Sequence, residues 1–208
     1  MLFRAFKRTF DFVSALLLFI VISPLFLVLM VLVKLKIGSP IFFTQERSGM
    51  HQKSFYIKKF RSMTNEKDEN GNFLPDDQRL TKFGRFLRSS SLDELPQLLC
   101  IIRGEMSVIG PRPLPPIYND YYSEYEKKRF MVRGGLIQPE VLHDTILPTW
   151  DEQLSWEAEY AVNLNVKTDL KIFIAVFKTL MKRNENKYGE IVRDSLIEER
   201  KKKEEISI

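Results

Sequence analysis

One cysteine and two histidines, Cys100, His51 and His143, are all that 208 residues contain of those types. A single thiol excludes an internal disulfide and fits a reducing compartment. Two histidines far apart in sequence offer no metal-ligand spacing, and both read as ordinary surface or polar-core residues. The chain also lacks a P-loop, a nucleotide-binding glycine fingerprint, a zinc pattern, a nucleophile elbow and any internal repeat. Acidic residues are scarce at the start. Residues 1–63 hold ten Lys/Arg against only Asp11 and Glu46, whereas the rest holds 22 Lys/Arg against 25 acids. The net charge of +5 is therefore concentrated around the most hydrophobic stretch. That pattern favours anionic lipid or a phosphorylated substrate over a nucleic-acid coat.

What the chain does contain is a 22-residue uncharged run from Phe12 to Val33. As a straight helix it would be roughly 33 Å long, enough to cross the hydrocarbon core. It is too long for a cleaved signal peptide, and no small-residue cleavage site follows it. Ser23-Pro24 lies at its midpoint, and proline removes a helical hydrogen bond, so a kink is predicted there. Each arm would then be about 16 Å, too short to span. Arg4, Lys7 and Arg8 precede the run, and Lys34 and Lys36 follow it. Both ends thus carry the charge that prefers the cytoplasmic side. A re-entrant helix-break-helix satisfies both ends, while a kinked spanning helix is the other reading the residues allow.

Beyond the run, Ile41-Phe42-Phe43 and Ser54-Phe55-Tyr56-Ile57 read as short strands around the Ser48-Gly49 turn. Lys58-Lys59-Phe60-Arg61 reads as a solvated basic edge. Residues 64–78, with Asn70-Gly71 and Pro75, form a predicted surface loop. Leu80 to Leu87 is a predicted short helix presenting Arg85 and Arg88. Residues 118–130 and Trp150 to Asn163 are also predicted helical. In 168–183 the apolar Leu170, Phe173, Ile174, Phe177, Leu180 and Met181 fall at helical spacing, which suits either a core-facing or a membrane-surface helix. The charged stretch from Asp194 to Ile208 is predicted to be frayed or disordered.

The chemistry concentrates in Ser91-Leu92-Asp93-Glu94-Leu95-Pro96-Gln97 and in Gly110-Pro111-Arg112-Pro113. Ser91 with Glu94 three residues later matches a capping box, and Asp93 as N-cap is the competing helix start. Either puts both carboxylates at a helix N-terminus, where phosphate is also favoured. Capping accounts for one acid, not for two. A carboxylate can attack a phosphate only if a metal or an arginine cancels their repulsion.

The chain resembles the bacterial sugar transferases known as small monotopic phosphoglycosyl transferases. The resemblance runs in order through Lys7–Asp11, Ser23-Pro24, Gly38–Gln45, Lys59–Met63, Arg79-Leu80-Thr81, Gly84, Leu87-Arg88, Ser91–Gln97, Gly104–Ser107 and Gly110–Leu114. It implies an α+β, mainly helical fold with a re-entrant N-terminal membrane helix-break-helix, a small strand element and amphipathic membrane-surface helices. It implies an anchor over residues 1–36, a catalytic domain over 37–190 and a charged tail over 191–208. The implied enzyme moves a sugar 1-phosphate from a nucleotide diphosphate sugar, usually a UDP-sugar, to polyprenyl (undecaprenyl) phosphate, releasing UMP. It works at the cytoplasmic face of the bacterial inner membrane, against membrane lipid, without nucleic acid, and is compatible with a homodimer. Asp93 matches the nucleophile and Glu94 its acidic partner, and the two would hold Mg2+. Arg112, Arg88, Lys59 and Arg61 are the implied phosphate-binding residues, and Ser23-Pro24 the membrane re-entry point. An inactive membrane adaptor of the same fold is the alternative. After Arg133 the chain departs from the family pattern, reading Gly134-Gly135-Leu136-Ile137-Gln138-Pro139-Glu140-Val141-Leu142 through a region expected to recognise the donor.

Overall fold

The computed structural model describes residues 2–143, 145, 147–182 and 194–206. The chain divides into two compact units, one of Thr9–Glu46 and Tyr56–Gly104, the other of Met1–Arg8, Arg47–Phe55 and Glu105–Ile208.

Helix α1 spans Leu2–Lys36. It runs through Ser23-Pro24 without the predicted interruption. Pro24 has no N–H to give the Ile20 carbonyl. The Ser23 hydroxyl donates to that carbonyl instead, at 2.8 Å, and so replaces the lost backbone bond. One stripe of α1, Phe26, Leu29 and Val33, packs with Ile37, Phe60 and Leu87 as the core of the first unit. The Phe26 and Phe60 rings lie 5.0 Å apart. The other faces keep Leu17, Leu18, Ile20, Val21, Leu27, Val28, Val31 and Leu35 exposed.

Strands β1 (Phe42–Ser48) and β2 (Ser54–Phe60) pair as a two-stranded sheet, as the sequence predicts. The 64–78 loop is closed by bridges between Met63 and Leu80 and between Lys67 and Phe73. Short helix α2 (Asp76–Arg79) ends it, and α3 (Lys82–Ser89) follows, capped by the Thr81 hydroxyl. Gly84 lets α3 lie against the Ser62 backbone, since a Cβ there would meet the Ser62 carbonyl oxygen at 1.8 Å. A 3-10 helix over Leu92–Gln97 leads into α4 (Leu98–Arg103), which Gly104 ends at φ +85°.

The second unit is built on a parallel strand pair that the sequence did not reveal: β3 (Met106–Ile109) beside β4 (Gly134–Ile137), with Met106 opposite Gly134 and Ile109 opposite Ile137. Residues 118–130 form 3-10 turns over 116–121 and 126–131 rather than one helix. Helix α5 (Trp150–Val162) starts at a capping box between Thr149 and Glu152. Helix α6 spans Val166–Lys182 and α7 spans Leu196–Ile206. The predicted frayed tail is thus a helix over most of its length. Leu196 is fully buried with Leu114, Tyr122, Phe130 and Leu154. Arg200 pairs with Glu126 and Asp151, and Lys203 with Asp151. The apolar spacing in α6 does not face the core: Leu170, Phe173, Ile174 and Phe177 are 46–61% exposed, while Ile172 is buried.

Candidate active site

Asp93 and Glu94 lie in the first turn of the 92–97 3-10 helix, but neither expected cap forms. Ser91 takes a left-handed backbone (φ +57°) and makes no side-chain cap bond. Non-glycine residues seldom adopt that conformation. The acids are therefore not explained as helix caps. Asp93 is only 8% exposed. Burial raises its pKa, Glu94 adds to the rise, and Lys59 and Arg88 oppose it. Lys59 Nζ donates to Glu94 Oε1 at 2.5 Å. Arg88 is anchored through Nε, which donates to the Ser62 hydroxyl at 2.9 Å. Its terminal nitrogens have no acceptor among the described residues, so its outer edge is available to an anion.

The structure brings four of the expected residues together here: Asp93, Glu94, Lys59 and Arg88. It gives Arg61 a different part. Its Nη1 donates to the Ser39 carbonyl and Nη2 to the Ile37 carbonyl, both at 2.6 Å. It is buried and ties down the chain leaving α1, a structural part that the sequence did not announce.

Two neighbouring carboxylates suit Mg2+, which typically takes one or two carboxylates and completes its shell with water and substrate phosphates. No cluster of three or more His, Cys, Asp or Glu side chains suited to a metal occurs among the described residues. Asp93 and Glu94 are the two carboxylates such an ion would take here.

The second unit carries Arg112 on the turn after β3. Its side chain is exposed, and its guanidinium has no acceptor among the described residues. Its backbone is held on both sides. The Arg112 N–H donates to Glu157 Oε1 at 2.9 Å, and Arg129 Nη2 donates to the Arg112 carbonyl. Ser48, Gly49, Pro113, Arg129 and Gly134 line a small cleft with it. The sequence did not single out four charged groups around this turn, Arg47, Arg129, Glu140 and Glu157. Arg47, at the end of β1, has its pKa lowered by burial and by repulsion from Arg112. Glu140, in the divergent segment, has its pKa pushed up to about 8, first by burial and then by Glu157, with Arg112 and Arg129 opposing. Glu157 is wholly buried, paired with Arg129. The signal for Glu157 is a charged residue on the α5 stripe that also buries Gln153, Leu154, Ala158 and Ala161.

Acids set against lysine and arginine, and a separate outward arginine on a rigid turn, are groups suited to phosphate esters. The chain belongs to the bacterial sugar transferases, whose family profile matches residues 2–183. It is 40% identical over 175 residues to the uncharacterized sugar transferase EpsL of Bacillus subtilis, covering 84% of this chain and 87% of that one. It is 36% identical over 191 residues to the exopolysaccharide production protein ExoY of Sinorhizobium fredii, covering 84% and 83%. It is 35% identical over 190 residues to the UDP-glucose:undecaprenyl-phosphate glucose-1-phosphate transferase of Klebsiella pneumoniae, covering 83% of this chain but 40% of that enzyme.

Proposed function

We propose that this sugar transferase moves a sugar 1-phosphate from a UDP-sugar to undecaprenyl phosphate, with Asp93 as nucleophile. The observation that carries the reading is the buried Asp93 beside Glu94, Lys59 and Arg88. A carboxylate oxygen of Asp93 attacks the phosphorus that bears the sugar. A bond from that oxygen to phosphorus forms, the phosphorus–oxygen bond to UMP breaks, and UMP leaves with the electron pair. An oxygen of undecaprenyl phosphate then attacks the same phosphorus and returns Asp93 as a carboxylate. No proton is gained or lost overall. Splitting the transfer lets one small site serve a soluble donor and a lipid acceptor in turn. Lys59 holds Glu94 in place, and both Lys59 and Arg88 favour the ionised Asp93 that the attack needs. Mg2+, held by Asp93 and Glu94, would supply positive charge against the diphosphate. Arg112 is a phosphate contact in its own right, because a guanidinium offers phosphate two parallel hydrogen bonds.

The same reading places the enzyme on the cytoplasmic face of the inner membrane, with α1 entering the bilayer and not crossing it. Lys7 pairs with Asp169 of α6 at 2.8 Å, and Arg61 holds the carbonyls just beyond the other end of α1. Arg4, Lys7 and Arg8 before the apolar run and Lys34 and Lys36 after it give both ends of α1 the charge that prefers the cytoplasmic side. The exposed apolar face of α6 suits a helix lying in the interface.

The test is UMP release from a panel of UDP-sugars, before and after addition of undecaprenyl phosphate. Asp93→Asn should abolish release even without acceptor, because an amide is a poor nucleophile. Full activity in that variant sinks the assignment.

A further inference from the structure

We propose that Arg129 and Glu157 are positioning residues whose buried ion pair fixes the Arg112 backbone and so aims the Arg112 side chain at phosphate. The inference rests on the reading of Arg112 as a phosphate contact. Its basis is a closed ring of hydrogen bonds. The Arg112 N–H donates to Glu157 Oε1 at 2.9 Å, Arg129 Nε donates to Glu157 Oε2 at 2.7 Å, and Arg129 Nη2 returns to the Arg112 carbonyl. Both peptide groups that flank the Arg112 Cα are therefore held by one pair. The rest of the turn is fixed as well. Proline limits φ at residues 111 and 113. The Gly135 N–H donates to the Pro111 carbonyl at 2.8 Å, and the Gly110 N–H to the Ile137 carbonyl at 3.0 Å. Glycine is required at both ends of this contact, since a Cβ on Gly135 would meet the Gly110 nitrogen at 2.1 Å.

The energetics favour orientation over mere stability. The side chains of Arg129 and Glu157 are 2% and 0% exposed. Desolvating such a pair costs so much that apolar side chains of similar size often stabilise a fold as well or better. Apolar side chains could not hold an N–H and a carbonyl on either side of one residue. Arg129 also donates through Nη1 to the Tyr122 hydroxyl at 3.1 Å, so the clamp itself has little freedom. The two charges offset each other, and the Arg112 guanidinium stays exposed, without an acceptor among the described residues. A bidentate grip depends on direction, and small displacements of an aiming group cost much of its effect.

A double-mutant cycle separates positioning from a purely structural role. Arg129→Lys keeps the charge but cannot reach both Glu157 and the Arg112 carbonyl with one planar fork. It is measured in the full chain with Arg112 and in the Arg112→Ala background. The readouts are UDP affinity by calorimetry, which needs no turnover, and kcat and KM for UMP release. With Arg112 present, Arg129→Lys should weaken UDP binding roughly 10- to 100-fold, the loss seen when groups that orient metal ligands are removed. With Arg112→Ala the further loss should be under about twofold, because the aimed group is gone. Equal losses in both backgrounds overturn the inference. If Arg129→Lys does not fold, the pair Arg129→Met and Glu157→Met removes both charges while keeping packing volume. It should fold and lose UDP affinity only where Arg112 remains, and unchanged affinity overturns the inference. So does failure of the unaltered chain to bind UDP, or of Arg112→Ala to weaken it. The transfer reaction itself stands or falls on Asp93→Asn, so the two failures are distinguishable.

Discussion

Asp93 is raised in pKa by burial and pulled back by Lys59 and Arg88, and that balance has a measurable sign. Attack needs the carboxylate, so the acid limb of kcat/KM for UMP release should report Asp93, raised by burial and lowered by the Mg2+ it would hold. Lys59→Met removes a charge that lowers the pKa. The limb should then move to higher pH, and a pH-rate profile of the two proteins checks it. An unmoved limb would mean that another group governs ionisation. Glu140 offers a second test, on stability. Its pKa, about 8 in the fold, lies well above the ordinary carboxylate value of an unfolded chain. Between those values the folded state holds a proton that the unfolded state has lost. Stability should therefore fall as pH rises through that window and level off above about 8. Glu140→Gln is neutral throughout and should show a shallower decline in denaturant titrations from acid to mildly alkaline pH.

At the scale of elements, α3 and α7 carry consequences that local sequence does not announce. Gly84 sits where α3 presses on the Ser62 backbone, and Ser62 holds Arg88. Gly84→Ala should push α3 away, cost about 1–3 kcal/mol as overpacking does, and loosen Arg88. Denaturant unfolding reads the first effect and UMP release the second. Unchanged stability would mean that α3 yields without strain. Helix α7 docks by Leu196 and by ion pairs to Glu126 and Asp151. Leu196→Ala should cost about 2–5 kcal/mol, the range for truncating a fully buried leucine. A frayed tail would lose nothing measurable in the same melt.

For the whole molecule, the decisive prediction is topological. Both ends of α1 are tied to folded residues, through Lys7 and through Arg61. Cysteines placed at Leu2 and Ser39, in a Cys100→Ser background, should both be shielded from an impermeant thiol reagent outside intact cells. Labelling of Leu2→Cys from outside would restore an ordinary spanning helix. Ser23 donates to the Ile20 carbonyl that Pro24 leaves without its backbone donor, and the proposal is entry without crossing. It rests on the charged ends and on what holds them.

Sequence alone determined whatever depends on neighbours a few residues apart. The uncharged run makes α1, short aromatic runs around the Ser48-Gly49 turn make the β1–β2 pair, and the pattern of 150–163 makes α5. The adjacent acids and the proline-flanked Arg112 were legible for the same reason, since their chemistry is written in consecutive residues. Tertiary structure decided which groups each charge meets. Lys59 and Arg61 are two residues apart, yet one reaches Glu94 and the other caps the exit of α1. The partners of Arg112 lie 17 and 45 residues away, and the pairing of β3 with β4 joins stretches just as distant. A burial pattern separated by that much chain leaves no periodic trace. Desolvation and hydrogen-bond direction, which set the roles of Glu140, Glu157 and Arg129, exist only once the chain has folded around them.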